Sequence, residues 1–337
     1  AVCGLWASAV TDAAAASMSH VAWDGFAHHD TIFPLFLFIA GVSFPYSVAK
    51  QRAGGMSEGR IYAKIVRRGL TLVVLGMVYN GLFKLDFENL RIASVLGRIG
   101  LAWSIAAVLY LNFGVKTRAA IAVAVLAGYG ALSALVAAPD AAGAGPLTFE
   151  GNLAGYIDRQ FLPGKLIYGS FDPEGLLSTV PAVVTAMLGM FTGEFVRRSD
   201  IRGGRKTLWM AAAAAALLAA GLAFSGVLPV NKKLWSSTFV CVVGAYSLGM
   251  FALFYYLIDV RGWRRWTLFF RVVGLNSITI YLAQRIVGFG RISDFFLGGI
   301  ASKCPEAVAA VISSAGYVAV CWLFLYFLYR KNVFLKV

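Results

Sequence analysis

Long apolar runs recur along this chain and limit the folds that it can adopt. A helix needs about 20 apolar residues to cross the roughly 30 Å hydrocarbon core of a bilayer. The runs are continuous in hydrophobicity and do not alternate, which favours helices over a membrane barrel. Nine of them lie near residues 31–48, 69–83, 92–112, 119–138, 175–195, 208–227, 234–258, 268–288 and 307–328. The sequence therefore predicts an all-α, polytopic transmembrane helix bundle.

Composition supports the same fold class. Of the 337 residues, 59% are hydrophobic and 14% are charged, whereas a soluble domain averages about 45–50% apolar and about 25% charged residues. No hydrophilic domain interrupts the runs, so we predict a single transmembrane domain over residues 1–337. The chain starts with an apolar stretch, residues 1–10, which we interpret as the remnant of a truncated first span.

The net charge of +14 could indicate nucleic acid binding, but its distribution indicates a membrane instead. Most of the 30 Lys and Arg residues lie in alternate connections, such as 50–68, 197–206 and 261–271. The positive-inside rule places these connections and the C-terminus in the cytoplasm, and no nucleic acid partner is needed to explain the charge. The rule predicts that the extracytoplasmic side carries residues 1–30, 84–91, 139–174, 228–233 and 289–306.

The connection 139–174 is unusually long, because helix connections in bundles commonly have about 2–8 residues. We predict that it contains a short amphipathic helix within residues 151–164, which lies on the extracytoplasmic surface and is closed by a Pro-Gly turn. Asp172 is expected to cap the next helix, and Glu174 is expected to lie near the positive end of that helix.

A cluster of titratable residues precedes the run 31–48. The histidines are His20, His28 and His29, and Asp24 and Asp30 accompany them. An imidazole beside a carboxylate can act as a nucleophile or general base, or it can relay protons near neutral pH. Asp30 fits equally well as the N-cap of the next helix. The cluster predicts either a membrane-embedded enzyme or a proton-coupled carrier.

Other polar residues stand out against the apolar background. Arg98 lies inside a predicted span, where a charge is costly unless it is paired or faces a cavity, and we favour an anion site over a structural ion pair. Arg91, nearer the boundary, fits a snorkelling side chain. Lys232 and Trp235 fit interfacial anchors, and Asn276 fits a bridge between helices. The four cysteines show no metal-ligand spacing, so we predict no metal.

Several short patterns together resemble one enzyme family. They are His20-x-x-Trp23-Asp24-Gly25, Asp30-x-x-Phe33-Pro34, Leu90-Arg91-Ile92 with Arg98-Ile99-Gly100, Gly155-Tyr156-Ile157-Asp158, Asp172-Pro173-Glu174-Gly175, Asn231-Lys232-Lys233-Leu234-Trp235 and Gly274-Leu275-Asn276-Ser277. In this order they resemble the heparan-alpha-glucosaminide N-acetyltransferase family and its bacterial relatives, some of which are described as N-acetylglucosamine-related transporters. The resemblance covers nearly the whole chain, and the collective pattern is more specific than any single block.

The resemblance implies a transmembrane acetyltransferase that takes acetyl from cytosolic acetyl-CoA and delivers it to the amine of a terminal glucosamine across the membrane. It implies that His20 is the acyl-accepting nucleophile or the general base, and we assign Asp30 as its catalytic partner. We predict that the donor is bound by Arg98 and Asn276, and that the acceptor is bound by Asp24, Asp172, Glu174, Lys232 and Trp235.

Two departures from the family pattern bear on these assignments. Asp24 stands where the lysosomal enzymes have Asn, which puts acceptor specificity in doubt. The family's first helix, with its Leu-Asp-x-x-Arg-Gly signature, is not in this numbering. The resemblance also implies a bacterial inner membrane, and the sequence leaves open the acceptor sugar and whether the bundle forms a homo-oligomer.

The predicted topology creates a conflict, because His20 is extracytoplasmic whereas acetyl-CoA is cytosolic. A tunnel for the pantetheine arm would resolve it, and so would loading of the donor in another conformation. The rival hypothesis is an inner-membrane aminosugar transporter that uses the His/Asp cluster as a proton relay. The predicted partners are therefore acetyl-CoA, an aminosugar and the lipid bilayer.

Overall fold

The computed structural model describes residues 18–335, and these residues form helices without a strand. The all-α, polytopic class predicted from the sequence is confirmed. The chain divides into two compact units, one up to Val260 and one from Arg261 onward. The predicted remnant of a first span, at residues 1–10, lies outside the described residues, and the single-domain organisation stays a prediction.

The α-helices of the first unit are α1 (Ile32–Ala53), α2 (Glu58–Tyr79), α3 (Val95–Asn112), α4 (Val115–Leu135), α5 (Leu153–Phe161), α6 (Leu176–Arg197), α7 (Gly203–Phe224) and α8 (Ser237–Tyr255). A 3-10 turn, His28–Thr31, precedes α1, another, Leu82–Lys84, follows α2, and a π-helical turn, Tyr256–Val260, extends α8. The second unit contains α9 (Thr267–Leu275), α10 (Ser277–Ile286), α11 (Phe289–Ala301) and α12 (Glu306–Arg330).

Seven helices within residues 18–335 are long and apolar enough to cross a membrane, namely α1 and α8 with their adjoining turns, α3, α4, α6, α7 and α12. The protein is therefore an integral membrane protein. The sequence predicts nine spans, and two of them differ. The run 69–83 overlaps the second half of α2, whose first half carries Arg60, Lys64 and Arg67. The run 268–288 is broken at Asn276 into α9 and α10, and each is too short to span.

Helix α6 forms the centre of the first unit. Its side chains are buried along most of its length, and it packs against α1, α3, α4 and α8. Gly189 lies where α6 meets α1, and a Cβ atom at this position would collide with the carbonyl oxygen of Phe38. Membrane helices commonly approach each other closely through such small residues. The backbones of α1 and α6 are therefore in direct contact.

The starts of α1, α3, α6 and α8 lie at the same end of this unit. The Phe33 ring of α1 lies 5.0 Å from the Trp235 ring, which immediately precedes α8. Arg98, in the first turn of α3, hydrogen-bonds Ser178 in the first turn of α6. The bundle thus brings together four connections that are far apart in sequence, namely 18–31, 80–94, 136–175 and 225–236.

The connection between α4 and α6 is built around α5. The Asn152 side chain caps α5 by accepting a hydrogen bond from the backbone N–H of Gly155 at 2.6 Å. Asp158, on the buried face of α5, accepts a hydrogen bond from the backbone N–H of Leu176 at 2.8 Å. These bonds fix α5 against the start of α6. The extracytoplasmic location of this connection stays a prediction.

The second unit has its own small core of Ala283, Phe289 and Cys321, against which Phe324 packs. Its helix α11 lies where the sequence predicts only a connection, at residues 289–306. Two charged residues in α11, Arg291 and Asp294, interrupt the apolar pattern that would have indicated a helix.

Candidate functional site

Three side chains from two distant parts of the chain meet at the end where α1 begins. His20 Nδ1 lies 2.7 Å from Asp30 Oδ1. Lys232 Nζ lies 3.1 Å from the same carboxylate oxygen and 3.1 Å from His20 Nδ1. The side chain of Asp30 is 3% exposed, whereas that of His20 is 56% exposed. A buried carboxylate thus holds both an accessible imidazole and a cation.

The contact with Asp30 determines which nitrogen of His20 carries the proton. An ionised carboxylate can only accept hydrogen bonds, so Nδ1 of the neutral imidazole donates to Asp30. Lys232 then donates to Asp30, because a protonated Nδ1 has no lone pair to offer. The lone pair of Nε2 remains available for reaction. Carboxylates fix the tautomer of histidine in this way in nucleophilic and general-base sites.

Asp30 is held by the 3-10 turn before α1. Its backbone N–H donates to the carbonyl oxygen of Ala27 at 3.0 Å, and the N–H of Ala27 donates to Asp30 Oδ2 at 3.3 Å. Thr31, and not Asp30, is the N-cap of α1, so the N-cap interpretation of Asp30 is wrong. Oδ2 of Asp30 thus accepts a hydrogen bond from the turn, and Oδ1 contacts His20.

Lys232 is presented by a tight turn before α8. The backbone N–H of Asn231 donates to Ser236 Oγ at 3.0 Å, and that of Leu234 donates to Asn231 Oδ1 at 2.9 Å. Burial lowers the pKa of Lys232, and the charge of Asp30 opposes this shift. The lysine is therefore a partly buried cation whose partner is Asp30.

Asp24 lies on the exposed rim of the same site. Its Oδ1 accepts a hydrogen bond from Asn231 Nδ2 at 3.1 Å. The next residue, Gly25, donates its N–H to the carbonyl oxygen of Val230 at 2.8 Å, with a φ of 127° that favours glycine. These two bonds attach the His20 segment to the connection before α8.

Lys233 makes contacts that the sequence does not reveal. Its Nζ lies 4.6 Å from the ring centroid of Tyr168, 5.9 Å from that of Trp23 and 6.0 Å from that of Phe149. It also donates to the carbonyl oxygen of Ala22 at 2.5 Å. Lys232 and Lys233 look equivalent in sequence. In the structure, connection 139–174 places the rings of Phe149 and Tyr168 beside Lys233.

Asp172 and Glu174, which are predicted to bind the acceptor, are bonded to Arg91. Arg91 Nε and Nη2 each donate to an oxygen of Asp172 at 2.7 Å, and Nη2 also donates to Glu174. Burial lowers the pKa of Arg91, but the bond to Asp172 and the charge of Glu174 outweigh it and raise the pKa. The interpretation of Arg91 as a snorkelling side chain is therefore wrong.

Arg98 is buried beneath the site. Its Nη2 donates to Ser178 Oγ, and its guanidinium carbon lies 5.0 Å from the ring centroid of Trp235. Its Nε and Nη1 have no hydrogen-bond partner among the described residues. Trp235 is itself 1% exposed and donates its Nε1–H to Thr185 Oγ1 at 3.3 Å. Both residues therefore lie inside the bundle and do not reach its surface in this conformation.

Asp158, the last residue of the Gly155-Tyr156-Ile157-Asp158 block, is a second buried carboxylate near Arg98. Its Oδ1 is bonded to the backbone N–H of Leu176, whereas its Oδ2 has no partner within residues 18–335. Burial raises the pKa of Asp158 to about 6. Its signal in the sequence is weak, because an acidic residue on a short amphipathic helix is normally solvated.

Asn276 lies in the second unit, at the break between α9 and α10. It is buried, and its Oδ1 accepts a hydrogen bond from Thr279 Oγ1 at 3.2 Å. Its predicted role in donor binding stays a prediction. No group of three His, Cys, Asp or Glu side chains in the described part of the chain is arranged to hold a metal ion, and the absence of a metal likewise stays a prediction.

Comparison with known proteins identifies the family. The profile of the family "Heparan-alpha-glucosaminide N-acetyltransferase, catalytic" matches residues 4–226, which include His20, Asp30 and Arg91. The human protein named heparan-alpha-glucosaminide N-acetyltransferase is 27% identical over 375 residues, covering 94% of this chain and 55% of the human protein. The mouse protein of the same name is 26% identical over 372 residues, covering 94% of this chain and 56% of the mouse protein.

This chain spans about half the length of the curated relatives that it matches. The profile match covers more than half of the chain and contains the His20–Asp30 pair, while Lys232 lies beyond it. The chain belongs to the heparan-alpha-glucosaminide N-acetyltransferase catalytic family.

Proposed function

We propose that this protein is a membrane-embedded N-acetyltransferase that moves an acetyl group from acetyl-CoA to the amine of an aminosugar. Family membership supports the reaction class, and the names of the relatives support a glucosamine-like acceptor. The observation that carries the proposal is the 2.7 Å contact between the exposed imidazole of His20 and the buried carboxylate of Asp30.

The first route uses His20 as a nucleophile. Nε2 attacks the thioester carbonyl, the carbon–sulfur bond breaks, and the thiolate of CoA leaves and takes a proton from solvent. The acetyl group is then bonded to an imidazolium whose Nδ1–H still donates to Asp30. The neutral amine of the acceptor attacks the acetyl carbonyl, the carbon–Nε2 bond breaks, and the amine releases one proton to solvent, which balances the proton taken up by the thiolate.

The second route uses His20 as a general base. Nε2 accepts a proton from the amine while the amine attacks the thioester directly, and CoA leaves as in the first route. In both routes the imidazole becomes positively charged, and the buried carboxylate of Asp30 stabilises that charge. Lys232 neutralises Asp30 before the reaction, so the buried group is never an isolated anion.

The acceptor amine has to be neutral when it attacks. A free carboxylate pair would hold the amine as an ammonium ion, but Asp172 and Glu174 are already paired with Arg91. We therefore propose that these two carboxylates position the acceptor through Arg91 and the surrounding backbone. Asp24, which is exposed beside the site, is the carboxylate that contacts the sugar. Lys232 and Trp235 form the wall of the acceptor site behind Asp24.

We propose that the donor approaches His20 along the side of the bundle where α3, α6 and α8 begin. Arg98 supports this wall by holding Ser178 and Trp235, and it binds the donor only when the helices around it separate. Asn276 lies in the second unit, and we propose it as a further contact of the donor. If His20 is extracytoplasmic, as the charge distribution predicts, the pantetheine arm has to cross the bundle.

Labelled acetyl-CoA and glucosamine test this proposal with purified protein in nanodiscs. We expect the wild type to form N-acetylglucosamine and His20→Ala to lose transfer while retaining its melting temperature. His28→Ala is the matched control, because His28 contacts Tyr246 and does not contact the His20, Asp30 and Lys232 side chains through a hydrogen bond. Full transfer by His20→Ala would contradict the assignment of His20.

Intact-protein mass spectrometry separates the two routes. With acetyl-CoA alone, a nucleophilic His20 adds one acetyl group to the protein, and His20→Ala does not acquire it. If the protein transfers acetyl to the acceptor but never carries an acetyl group itself, His20 acts as a general base. The matches do not support the transporter hypothesis, and uptake of labelled aminosugar into proteoliposomes without acetyl-CoA would revive it.

A further inference from the structure

The second unit contains a cavity with two arginines in its wall. Its volume is about 600 Å³, and its lining is Arg271, Leu275, Tyr329, Arg330, Asn332 and Phe334. The first two residues come from α9, and the others come from the end of α12 and the chain that follows it. The cavity therefore lies outside the part of the chain that the family profile matches.

Neither arginine has a carboxylate partner within residues 18–335. The guanidinium carbon of Arg271 lies 5.8 Å from the ring centroid of Tyr329, and Arg330 Nη1 donates to Tyr326 OH at 3.3 Å. No ion pair between described residues includes either of them. The cavity thus presents two guanidinium groups with unused hydrogen-bond donors, which suits a phosphate group.

The cavity lies at the membrane boundary. Helix α12 is apolar and long enough to span, and Arg330 is its last residue. Leu275 in the wall is 46% exposed, and the rings of Tyr329 and Phe334 line the same cavity. An apolar rim next to a pair of cations matches a molecule with an anionic head and an apolar body.

We propose that this cavity binds the headgroup phosphate of an anionic phospholipid. Basic pockets between transmembrane helices recognise anionic headgroups in this way, and the exposed apolar side chains of α9 accompany the acyl chains. A soluble phosphate compound such as CoA shares the phosphate chemistry but gains nothing from the exposed Leu275. The site does not depend on the acetyl-transfer proposal, because no residue of the His20 site lines it.

Native mass spectrometry of the full chain tests the proposal with phosphatidylglycerol as the probe and phosphatidylcholine as the neutral lipid. We expect the wild type to retain one phosphatidylglycerol molecule in preference to phosphatidylcholine. The double variant Arg271→Gln/Arg330→Gln should bind it about 30-fold more weakly, since each arginine near a headgroup contributes roughly 1 kcal/mol. The melting temperature of each variant in detergent checks that it remains folded.

A charge-matched control separates the effect of the cavity from that of the protein's overall positive charge. Arg205→Gln/Arg265→Gln removes the same charge from exposed residues that do not line the cavity and should leave phosphatidylglycerol binding unchanged. Equal loss in both double variants, or no loss in the cavity variant, would overturn the proposal. Displacement of the lipid by CoA or inorganic phosphate at equimolar concentration would also overturn it, because the ligand would then be a soluble phosphate.

Discussion

Asp30 connects the turn before α1 with the side chains of His20 and Lys232 through its two carboxylate oxygens. One oxygen receives the backbone N–H of Ala27 and completes the turn before α1, while the other receives His20 and Lys232. The imidazole is therefore oriented by a residue that the helix itself keeps in place. Of these contacts, the His20–Asp30 pair could be anticipated from the sequence, because both residues flank the same short segment.

Replacement of Asp30 by Asn should separate charge from geometry. The amide still completes the turn, but it cannot compensate a positive imidazole, and we expect kcat to fall by roughly 100- to 10,000-fold. Steady-state transfer kinetics measure this loss. Asp24→Asn removes a charge from the rim and should keep kcat within about threefold while changing the KM of the sugar. A comparable loss of kcat in both variants would contradict the distinct roles.

Asp158 should make stability depend on pH. Its pKa is about 6 in the folded protein and 3.8 without the fold, so the folded protein binds the proton more tightly. The stability that this proton contributes is complete at low pH and is lost as the pH rises through about 6. Between pH 7 and pH 5 the folded state should gain about 1 kcal/mol from this residue.

The variant Asp158→Asn isolates this contribution. The amide oxygen still accepts the N–H of Leu176 but carries no charge, so the variant should melt above the wild type at pH 7.5 and approach it at pH 5. Thermal unfolding in detergent at both pH values measures the difference. A gap between the two proteins that is the same at both pH values would contradict the buried-carboxylate explanation.

At the scale of elements, the prediction from the sequence is correct for the uniformly apolar helices. It is wrong where charged or polar residues interrupt an apolar run. Helix α2 mixes a basic half with an apolar half, and the run 268–288 hides a break at Asn276. Helix α11 was missed because its charges lower its hydropathy, although it packs on α12 at Gly316. Hydropathy reports the environment of a helix, whereas its boundaries depend on caps and tertiary contacts.

The contact between α1 and α6 predicts different results for two glycines. Gly189→Ala would force the two backbones apart and should destabilise the protein by about 1–3 kcal/mol, with loss of transfer because α1 carries the Asp30 turn. Gly128→Ala, on α4, meets no atom within 4 Å and should be neutral or stabilising by up to about 1 kcal/mol. Melting temperatures measure both, and equal effects would contradict the close approach.

At the scale of the whole molecule, the charge distribution predicts a topology. Connection 139–174 should be extracytoplasmic, and the basic connection between α6 and α7 should be cytoplasmic. With the four native cysteines replaced by serine or alanine, a cysteine at the exposed Ala142 (Ala142→Cys) should react with a membrane-impermeant maleimide in intact cells. Asp200→Cys should react only after permeabilisation. The reverse labelling pattern would mean that the topology is inverted and that His20 lies on the same side of the membrane as acetyl-CoA.

The pairs that join distant connections show where prediction from the sequence ends. Seven α-helices lie between Asp30 and Lys232 along the chain, and three lie between Arg91 and Asp172. The packing of α1, α3, α6 and α8 brings each pair together. The family pattern indicated that most of these residues matter. It did not indicate their partners, because a sequence pattern contains no distances; in the structure, Asp172 and Glu174 are both bonded to Arg91.

The direct backbone contact of α1 with α6 also limits how this protein can move. Because the backbones of α1 and α6 touch at Gly189, we expect these two helices to move together as one body. If the acetyl donor enters from the far side of the membrane, an opening is then expected between this pair and its neighbours α3 and α8. The turn that holds Asp30 would stay in place while the helices around it separate.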